Sequence, residues 1–110
     1  MDMDHKFHEH SERRNADNVD EQTLEKASRF FKVLSDPERL KLLLILAEGE
    51  ACVSELATKD QMSTVSQRLK VLKSENLVTR SRKGKHMIYR LADQHVYILI
   101  KNAIEHAEEK

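Results

Sequence analysis

Four side chains near the end of the sequence have the chemistry of metal ligands: Asp93, His95, His106 and Glu109. Imidazole nitrogens and carboxylate oxygens bind zinc at about 2.0–2.2 Å. His95 and His106 are eleven residues apart, which in one helix corresponds to about 16 Å at a rise of ~1.5 Å per residue. A single helix therefore cannot bring all four side chains to one ion.

A second copy of the same helix removes this difficulty. In an antiparallel pair related by a two-fold axis, Asp93 lies opposite the partner's Glu109 if the axis passes near residue 101. His95 lies opposite the partner's His106 if the axis passes between residues 100 and 101. Because both pairings need nearly the same axis, as a two-fold contact requires, the spacing predicts a homodimer with two equivalent metal sites shared between subunits.

The composition limits the kind of protein that could carry these ligands. The sequence has 110 residues, 39% hydrophobic and 35% charged, with two glycines and no tryptophan, which is typical of one helix-rich soluble domain. Cys52 is its only cysteine, so we expect a reducing, cytoplasmic location. No apolar run approaches the ~20 residues that span a bilayer, and the polar, acidic start does not resemble a signal peptide, so we expect no membrane contact.

The apolar spacing predicts a mainly helical domain over residues 20–110, preceded by a mobile polar tail at 1–19. The first helix follows Asp20, Pro37 lies in the first turn of the second, and Gly49 ends that largely apolar helix. A third helix is expected at about 53–58. A fourth begins with Ser63 as its N-cap, and the spacing of Val65, Leu69 and Leu72 predicts one buried stripe along it. Two β-prone runs around Gly84 predict a hairpin before the last helix, 91–110. The predicted order is ααααββα.

Positive charge is concentrated in the middle of the chain. The formal net charge is zero, but residues 59–90 hold nine basic and two acidic residues. A short helix, a turn, a helix with small polar side chains and a basic hairpin together predict a winged helix-turn-helix that binds DNA. Short polar side chains of the fourth helix, the longer one of this pair, could reach base edges, while the hairpin tip could contact phosphate or the minor groove. The candidate DNA contacts are Ser63, Thr64, Ser66, Gln67, Arg68 and Lys70, with Arg82, Lys83 and Lys85 in the wing.

Several of these segments resemble the ArsR/SmtB family of metal-sensing repressors. LSDPERLKLL at 34–43 is similar to the family signature LxDPxRLxIL, and the resemblance continues through CVSELA at 52–57, STVSQRLKVL at 63–72 and RKGKHMIYRL at 82–91. The pattern Asp93-x-His95, ten residues, His106-x-x-Glu109 matches the family's last-helix zinc motif at each ligand position. One difference is the segment 58–62, which is about two residues shorter than the family's usual turn and lacks its glycine.

The resemblance implies a homodimeric winged helix whose first and last helices form the dimer interface. It also implies that the metal-free dimer binds a palindromic DNA operator and releases it when metal binds, so that genes of metal efflux or homeostasis are derepressed. Two nitrogens and two oxygens suit zinc, with cobalt as an alternative. Nickel prefers more ligands, and His5, His8 and His10 of the tail could supply them.

The same family has a second kind of metal site, which would use Cys52 with tail residues. Cys52, Glu55 and one of the tail histidines could form a weaker zinc site, although the residue type favours a half-buried cysteine that acts as a small apolar side chain. A winged helix that senses no metal remains an alternative function. An enzyme is not expected, since residues 106–109 do not form an HExxH motif and four protein ligands leave no open catalytic position.

Overall fold

The computed structural model describes residues 16–109. A 3-10 turn, Ala16–Asn18, precedes the first helix. The elements are then α1 (Glu21–Leu34), α2 (Pro37–Glu48), β1 (Ala51–Cys52), α3 (Val53–Leu56), α4 (Met62–Ser74), β2 (Val78–Lys83), β3 (His86–Leu91) and α5 (Gln94–Glu108). The predicted order of five helices and a hairpin is confirmed, with the two-residue strand β1 as an addition. The tail histidines lie outside the described residues, and the boundary of the tail remains a prediction.

The break between α1 and α2 follows directly from the sequence around Pro37. Proline is at the first position of α2, where its missing N–H costs no helical hydrogen bond. Asp36 caps the helix, since its side chain accepts a hydrogen bond from the backbone N–H of Arg39 at 2.9 Å. The Arg39 guanidinium then donates to the carbonyl of Val33 at 2.8 Å, which joins the end of α1 to the start of α2.

The core lies where α2, α4 and α5 meet the hairpin. In α4, Val65, Leu69 and Leu72 form the predicted buried stripe. Leu42, Leu43 and Leu46 of α2 face it, whereas Ile45 on the same helix stays exposed. Burying a leucine side chain contributes roughly 1.5–3 kcal/mol, so this stripe fixes the rotation of α4 about its axis. The remaining buried residues are Ala51, Leu56, Leu77, Val78, Tyr89, Val96 and Ile100.

The three strands form one antiparallel sheet in the order β1-β3-β2. Ala51 of β1 pairs with Tyr89, and in the hairpin Lys83 pairs with His86 across a turn that contains Gly84. Gly84 has φ 63°, a left-handed conformation that glycine adopts without steric cost. Strand β1 was not predicted, because a two-residue edge strand has no alternation of its own and exists only through its pairing with β3.

Three predicted boundaries were wrong. Helix α3 is a single turn that ends at Leu56, because Ala57 leaves the helical conformation on the way to α4. Helix α4 begins at Met62 with Gln61 as its N-cap, and not with Ser63 as the cap. The carbonyl of Gln61 already accepts from the N–H groups of Thr64 and Val65, so the first turn closes before Ser63 is needed. The last helix begins at Gln94, because Leu91 belongs to β3. No helix among residues 16–109 has the length and apolar character needed to cross a membrane.

Candidate metal and DNA sites

The first pair of candidate ligands lies at the start of α5. Asp93 is the N-cap, and its Oδ1 accepts a hydrogen bond from the backbone N–H of Val96 at 3.1 Å. The extended backbone of Asp93, with φ −164° and ψ −177°, turns its side chain toward His95. Nδ1 of His95 lies 3.8 Å from Oδ1 of Asp93. Asp93 thus lies at the helix start, where its side chain can leave the regular helical spacing.

The second pair lies at the other end of the same helix. Glu109 is the C-cap of α5, and its backbone N–H donates to the carbonyl of His106 at 3.2 Å. Nδ1 of His106 lies 3.7 Å from Oε1 of Glu109. Two ligands of a tetrahedral ion, each about 2.1 Å from the metal, are about 3.4 Å apart. Both pairs are therefore close to the separation that two ligands of one zinc ion need.

The two pairs share a face of α5 but do not meet within one chain. Eleven residues at ~100° each bring His106 back to within about 20° of His95 around the helix axis. The side chains of His95 and His106 are 94% and 87% exposed, so neither is held inside the subunit. Among residues 16–109, no three His, Cys, Asp or Glu side chains come together in a way that could hold a metal ion. Each end of α5 thus presents two candidate ligands, half the number that a four-ligand site needs.

Apolar side chains remain uncovered beside these half-sites. Ile98 of α5 lies between them and is exposed, and on α1 Leu24 and Phe31 are exposed as well, with 60% of Phe31 accessible. A groove of about 280 Å³ runs between α1, α2 and α5. It is lined by Phe31, Leu34, Ser35, Leu40, Leu99, Ile100 and Ala103.

The surroundings of Cys52 give it and Glu55 a structural role. Cys52 is the N-cap of α3, and its backbone N–H donates to Oε1 of Glu55 at 2.8 Å. This hydrogen bond lowers the pKa of Glu55. Sγ of Cys52 lies 3.1 Å from Oγ of Ser54, and the cavity of about 250 Å³ beside it is also lined by His86. The suggested tail ligands of this second site lie outside the described residues, so the site remains a prediction.

The candidate base-reading residues project from α4 on the sides away from the core. Ser63, Thr64, Ser66 and Gln67 are all exposed. Met62, also exposed, precedes them at the first position of the helix. Because the buried stripe fixes the rotation of α4, these short side chains are presented on a rigid element, as reading base edges in a major groove requires.

Arg68 differs from its polar neighbours on α4, because it is already paired within the chain. Its Nη1 lies 2.9 Å from Oδ2 of Asp60, and its side chain is only 24% exposed. The pair connects the second turn of α4 to the loop that leads into the helix. The structure therefore gives Arg68 a role in holding the turn that lacks glycine, and its contact with DNA remains a prediction.

The wing also contains an internal acidic partner. Glu50, in the loop between α2 and β1, accepts hydrogen bonds from Lys83 at 2.8 Å and from Arg90 at 3.3 Å. The hydrogen bond from Lys83 and its positive charge, with a further contribution from Arg90, lower the pKa of Glu50 below its usual value of 4.5. Arg82 and Lys85, the other two candidate wing contacts, are exposed.

Sequence reasoning missed these two carboxylates as parts of the basic surface. Asp60 is eight residues from Arg68 and Glu50 is thirty-three from Lys83, so neither pair has the short spacing that indicates contact along one helix. The register of β1 against β3 could have indicated one contact, since it places Glu50 next to Arg90, but β1 itself was not predicted.

A short helix, a turn, a helix with an exposed polar face and a basic two-stranded wing define the class of winged helix-turn-helix proteins. Known proteins with similar sequences and structures belong to this class and identify one family within it. Residues 36–80 match the model of the bacterial regulatory protein, arsR family. A homodimeric winged helix-turn-helix DNA-binding domain from Mycobacterium bovis is 34% identical in sequence and superimposes with a TM-score of 0.76, over 83% of this chain and 88% of that chain.

Two named relatives extend the match beyond the helix-turn-helix. A transcriptional repressor SmtB homolog from Synechocystis sp. is 42% identical over 84 residues, which is 74% of this chain and 64% of the relative. A cadmium resistance transcriptional regulatory protein CadC homolog from Staphylococcus aureus is 35% identical over 85 residues, 74% of this chain and 70% of the relative. The chain thus spans slightly less than two thirds of the length of the Synechocystis protein. It belongs to the arsR family of bacterial regulatory proteins, which are DNA-binding regulators and not enzymes.

Proposed function

We propose that this protein is a metal-responsive transcriptional repressor of the cytoplasm. In this proposal the metal-free homodimer binds a palindromic operator, and zinc bound at two intersubunit sites on α5 lowers the affinity for DNA. The observation that carries the proposal is the division of the ligands into two pairs, Asp93 with His95 and His106 with Glu109. Each pair has its donor atoms 3.7–3.8 Å apart, and both lie on one face of a helix.

The exposed apolar side chains of α1 and α5 support a dimer. Phe31 and Ile98 would be covered if two copies packed through their first and last helices. A two-fold axis near residues 100 and 101 passes close to Ile98 and brings the N-terminal pair of each α5 beside the C-terminal pair of the other. The homodimeric state of the Mycobacterium bovis domain supports a dimer.

The donor set suits zinc best. Two imidazole nitrogens and two carboxylate oxygens can complete a tetrahedral site, and cobalt accepts the same ligands. Within this ligand set, the soft thiolates that cadmium prefers are missing, although the relative from Staphylococcus aureus carries the name of a cadmium resistance regulator. Nickel would need further ligands, for which the tail histidines are the candidates.

The link between metal and DNA would run through the angle between subunits. Two recognition helices of a dimer must be about 34 Å apart to enter successive major grooves on one side of the duplex. Because α5 packs on the core through Val96 and Ile100, a change in how the two α5 helices cross would move α4 of each subunit with it. A coupling free energy of about 1–3 kcal/mol is typical of such regulation, and it weakens metal binding by DNA as much as DNA binding by metal.

Two titrations test the proposal. The zinc-free full-length protein is first used to select a tightly bound duplex from a random library, and the affinity for that duplex is then measured with and without zinc. We expect zinc to weaken binding about 5- to 150-fold, and we expect His106→Ala to abolish the response while keeping DNA affinity in the absence of zinc. Gln94→Ala, an exposed change between the first two ligands, serves as the matched control and should respond like the wild type.

The other outcomes separate the alternatives. Equal affinity with and without zinc, together with a response to nickel that is lost when residues 1–19 are removed, would indicate a nickel sensor that uses the tail. DNA binding that no metal changes would indicate a winged helix that does not sense metal. A response that persists in His106→Ala but is lost in Cys52→Ser would move the metal site to α3.

A further inference from the structure

A basic cleft of about 460 Å³ lies between α4 and the wing. Six residues line it: Ser66, Lys70, Lys73, Ser74, Arg80 and Tyr89. Three carry positive charge, three carry a hydroxyl group and none is a carboxylate. Lys73, Ser74, Arg80 and Tyr89 are not among the candidate DNA contacts predicted from the sequence.

The helical spacing explains why one side of α4 faces this cleft. Ser66, Lys70 and Lys73 are at positions i, i+4 and i+7 and form a stripe about 100° around the helix from the buried stripe. Since the buried stripe is held against the core, the basic stripe must lie along the flank of α4, facing β2.

Arg80 closes the cleft from the wing side. It lies on β2, directly opposite Tyr89 of β3 in the sheet register. Its Nη1 lies 3.4 Å from the Tyr89 hydroxyl, and Tyr89 is only 6% exposed. The phenol is therefore fixed by its burial and helps to orient the guanidinium into the cleft.

The charges of this cleft lack internal compensation in the described part of the chain. Arg68, Lys83 and Arg90 each pair with a carboxylate, whereas within residues 16–109 no carboxylate pairs with Lys70, Lys73 or Arg80. Three positive charges that line one cleft repel one another, and an anion bound between them offsets this repulsion by attracting all three. Hydroxyl and guanidinium donors are well suited to several oxygens of one phosphate group.

We propose that this cleft binds one phosphate of the DNA backbone, held jointly by Lys70, Lys73 and Arg80. The inference rests on the proposed DNA-binding function and assigns a contact within it. A recognition helix in the major groove runs between two sugar-phosphate backbones. Ser63 and Gln67 form the next stripe around α4, farther from the core, so the cleft lies on the flank of the helix that a backbone would follow.

A shared phosphate has a thermodynamic signature that separate contacts lack. The logarithm of DNA affinity falls with the logarithm of salt concentration by a slope of about 0.9 for each phosphate that is neutralised. If three cations hold one phosphate, removing all three should reduce the slope by only about 0.9. Three independent contacts should reduce it by about 2.7.

The experiment measures binding of the full-length protein to a random-sequence 30-base-pair duplex by fluorescence anisotropy at several salt concentrations. The variants are Lys70→Gln, Lys73→Gln and Arg80→Gln, singly and combined. We expect each single variant to lower the slope by at most about 0.9 and the triple variant by no more than that, a change of about 3.5-fold in relative affinity over a fourfold range of salt. A triple variant of exposed lysines on α1 and α2, Lys26→Gln, Lys32→Gln and Lys41→Gln, makes the same change in net charge away from the cleft and should lower the slope less than the cleft variant does.

Three results would overturn the assignment. Additive losses near 2.7 would show separate contacts, and an unchanged slope in a triple variant with the wild-type melting temperature would show that DNA does not enter the cleft. Saturable binding of inorganic phosphate to the wild type, with DNA slopes unaffected by the variants, would assign the cleft to a free anion. If the wild type itself did not bind duplex DNA, the proposed function would fail, and this result is distinct from the other three.

Discussion

The two candidate functional regions differ in how much of each is complete within one chain. The two ends of α5 carry four exposed candidate ligands in two pairs, and each pair would supply half of the proposed metal site. The surface formed by α4 and the wing is assembled within one subunit, because the buried stripe of α4 and the pairing of β2 with β3 fix its side chains relative to one another.

The regions also differ in what their charged groups contact before a ligand arrives. In α5 the candidate ligands contact only their immediate neighbours along the chain. In the DNA-facing region, Arg68 is paired with Asp60, and both Lys83 and Arg90 are paired with Glu50. In the proposed function, completion of the metal site requires a second subunit, whereas Arg68, Lys83 and Arg90 would exchange internal carboxylates for phosphates of the DNA. Metal binding should therefore respond to subunit composition, and DNA binding to substitutions within a subunit.

The strongest test of this difference uses mixed dimers. Homodimers of His95→Ala and of His106→Ala each have both metal sites broken, so neither should bind zinc on α5. In the heterodimer, one site lacks both histidines and the other has all four ligands intact. Mixing the two variants should therefore restore zinc binding to one site in each heterodimer, which calorimetry can count.

A control distinguishes true complementation from weak residual binding. His106→Ala mixed with the double variant His95→Ala/His106→Ala contains no complete site and should not recover. If this control recovered as well, or if the first mixture stayed inactive although heterodimers formed, the shared-site geometry would be wrong.

A second test compares the stability of the subunit, on which the DNA-facing region depends, with the stability of the dimer, on which the metal site depends. Leu69 is fully buried on the core-facing side of α4, so Leu69→Ala should lower the free energy of unfolding by about 2–5 kcal/mol. Ile98 is exposed in one subunit, so Ile98→Ala should change folding of the subunit little and weaken the dimer. Urea unfolding and sedimentation equilibrium, each over a range of protein concentrations, separate the two effects. Equal loss of subunit stability in both variants would remove the contrast.

The two ends of α5 should differ although both carry a ligand pair. Asp93→Ala removes both a carboxylate ligand and the hydrogen bond to the N–H of Val96, and should lower stability by about 0.5–2 kcal/mol without metal. Asp93→Asn retains a capping oxygen, so it should weaken zinc binding and keep most of the stability. Glu109→Gln should affect zinc alone. Thermal unfolding in the presence of a chelator measures these changes in stability. A loss of stability in Asp93→Asn equal to that in Asp93→Ala would rule out the cap as the cause.

The smallest expected effect concerns the internal partner of the wing. Glu50→Gln frees Lys83 and Arg90 for phosphate and should raise affinity for random duplex DNA by less than about fivefold, because solvent screens an exposed ion pair. Glu48→Gln, an exposed residue with the same charge change at the end of α2, should have a smaller effect. If the two variants behaved alike, net charge and not the specific pairing would explain the change.

The pH dependence of the Glu50 contact follows from its lowered pKa. A carboxylate with a lowered folded-state pKa contributes stability that is present above the unfolded value and is lost as the pH falls through the folded value. The contact should therefore be intact at neutral pH and break only below about pH 4.5. Carbon NMR of the Glu50 carboxyl should show a midpoint below 4.5, and Lys83→Gln should move it upward.

Much of the fold followed from local signals in the sequence. Pro37 after Asp36 marked the start of α2, the spacing of Val65, Leu69 and Leu72 identified the buried side of α4, and Gly84 marked the turn of the hairpin. Errors occurred where a boundary depends on partners distant in the chain. Strand β1 needs β3, and the last helix starts only at Gln94 because Leu91 pairs with Val78 of β2.

The sequence by itself determined the types of the candidate ligands at the ends of α5 and a spacing that one helix cannot bring to one ion, because residue identity and the rise of a helix are local properties. It also determined the position of the basic centre along the chain. Only the tertiary structure decided which of those basic groups are engaged within the subunit and which converge on the cleft between α4 and β2. That decision depends on packing, since side chains as distant in sequence as Glu50 and Lys83 meet only when the sheet and the core have formed.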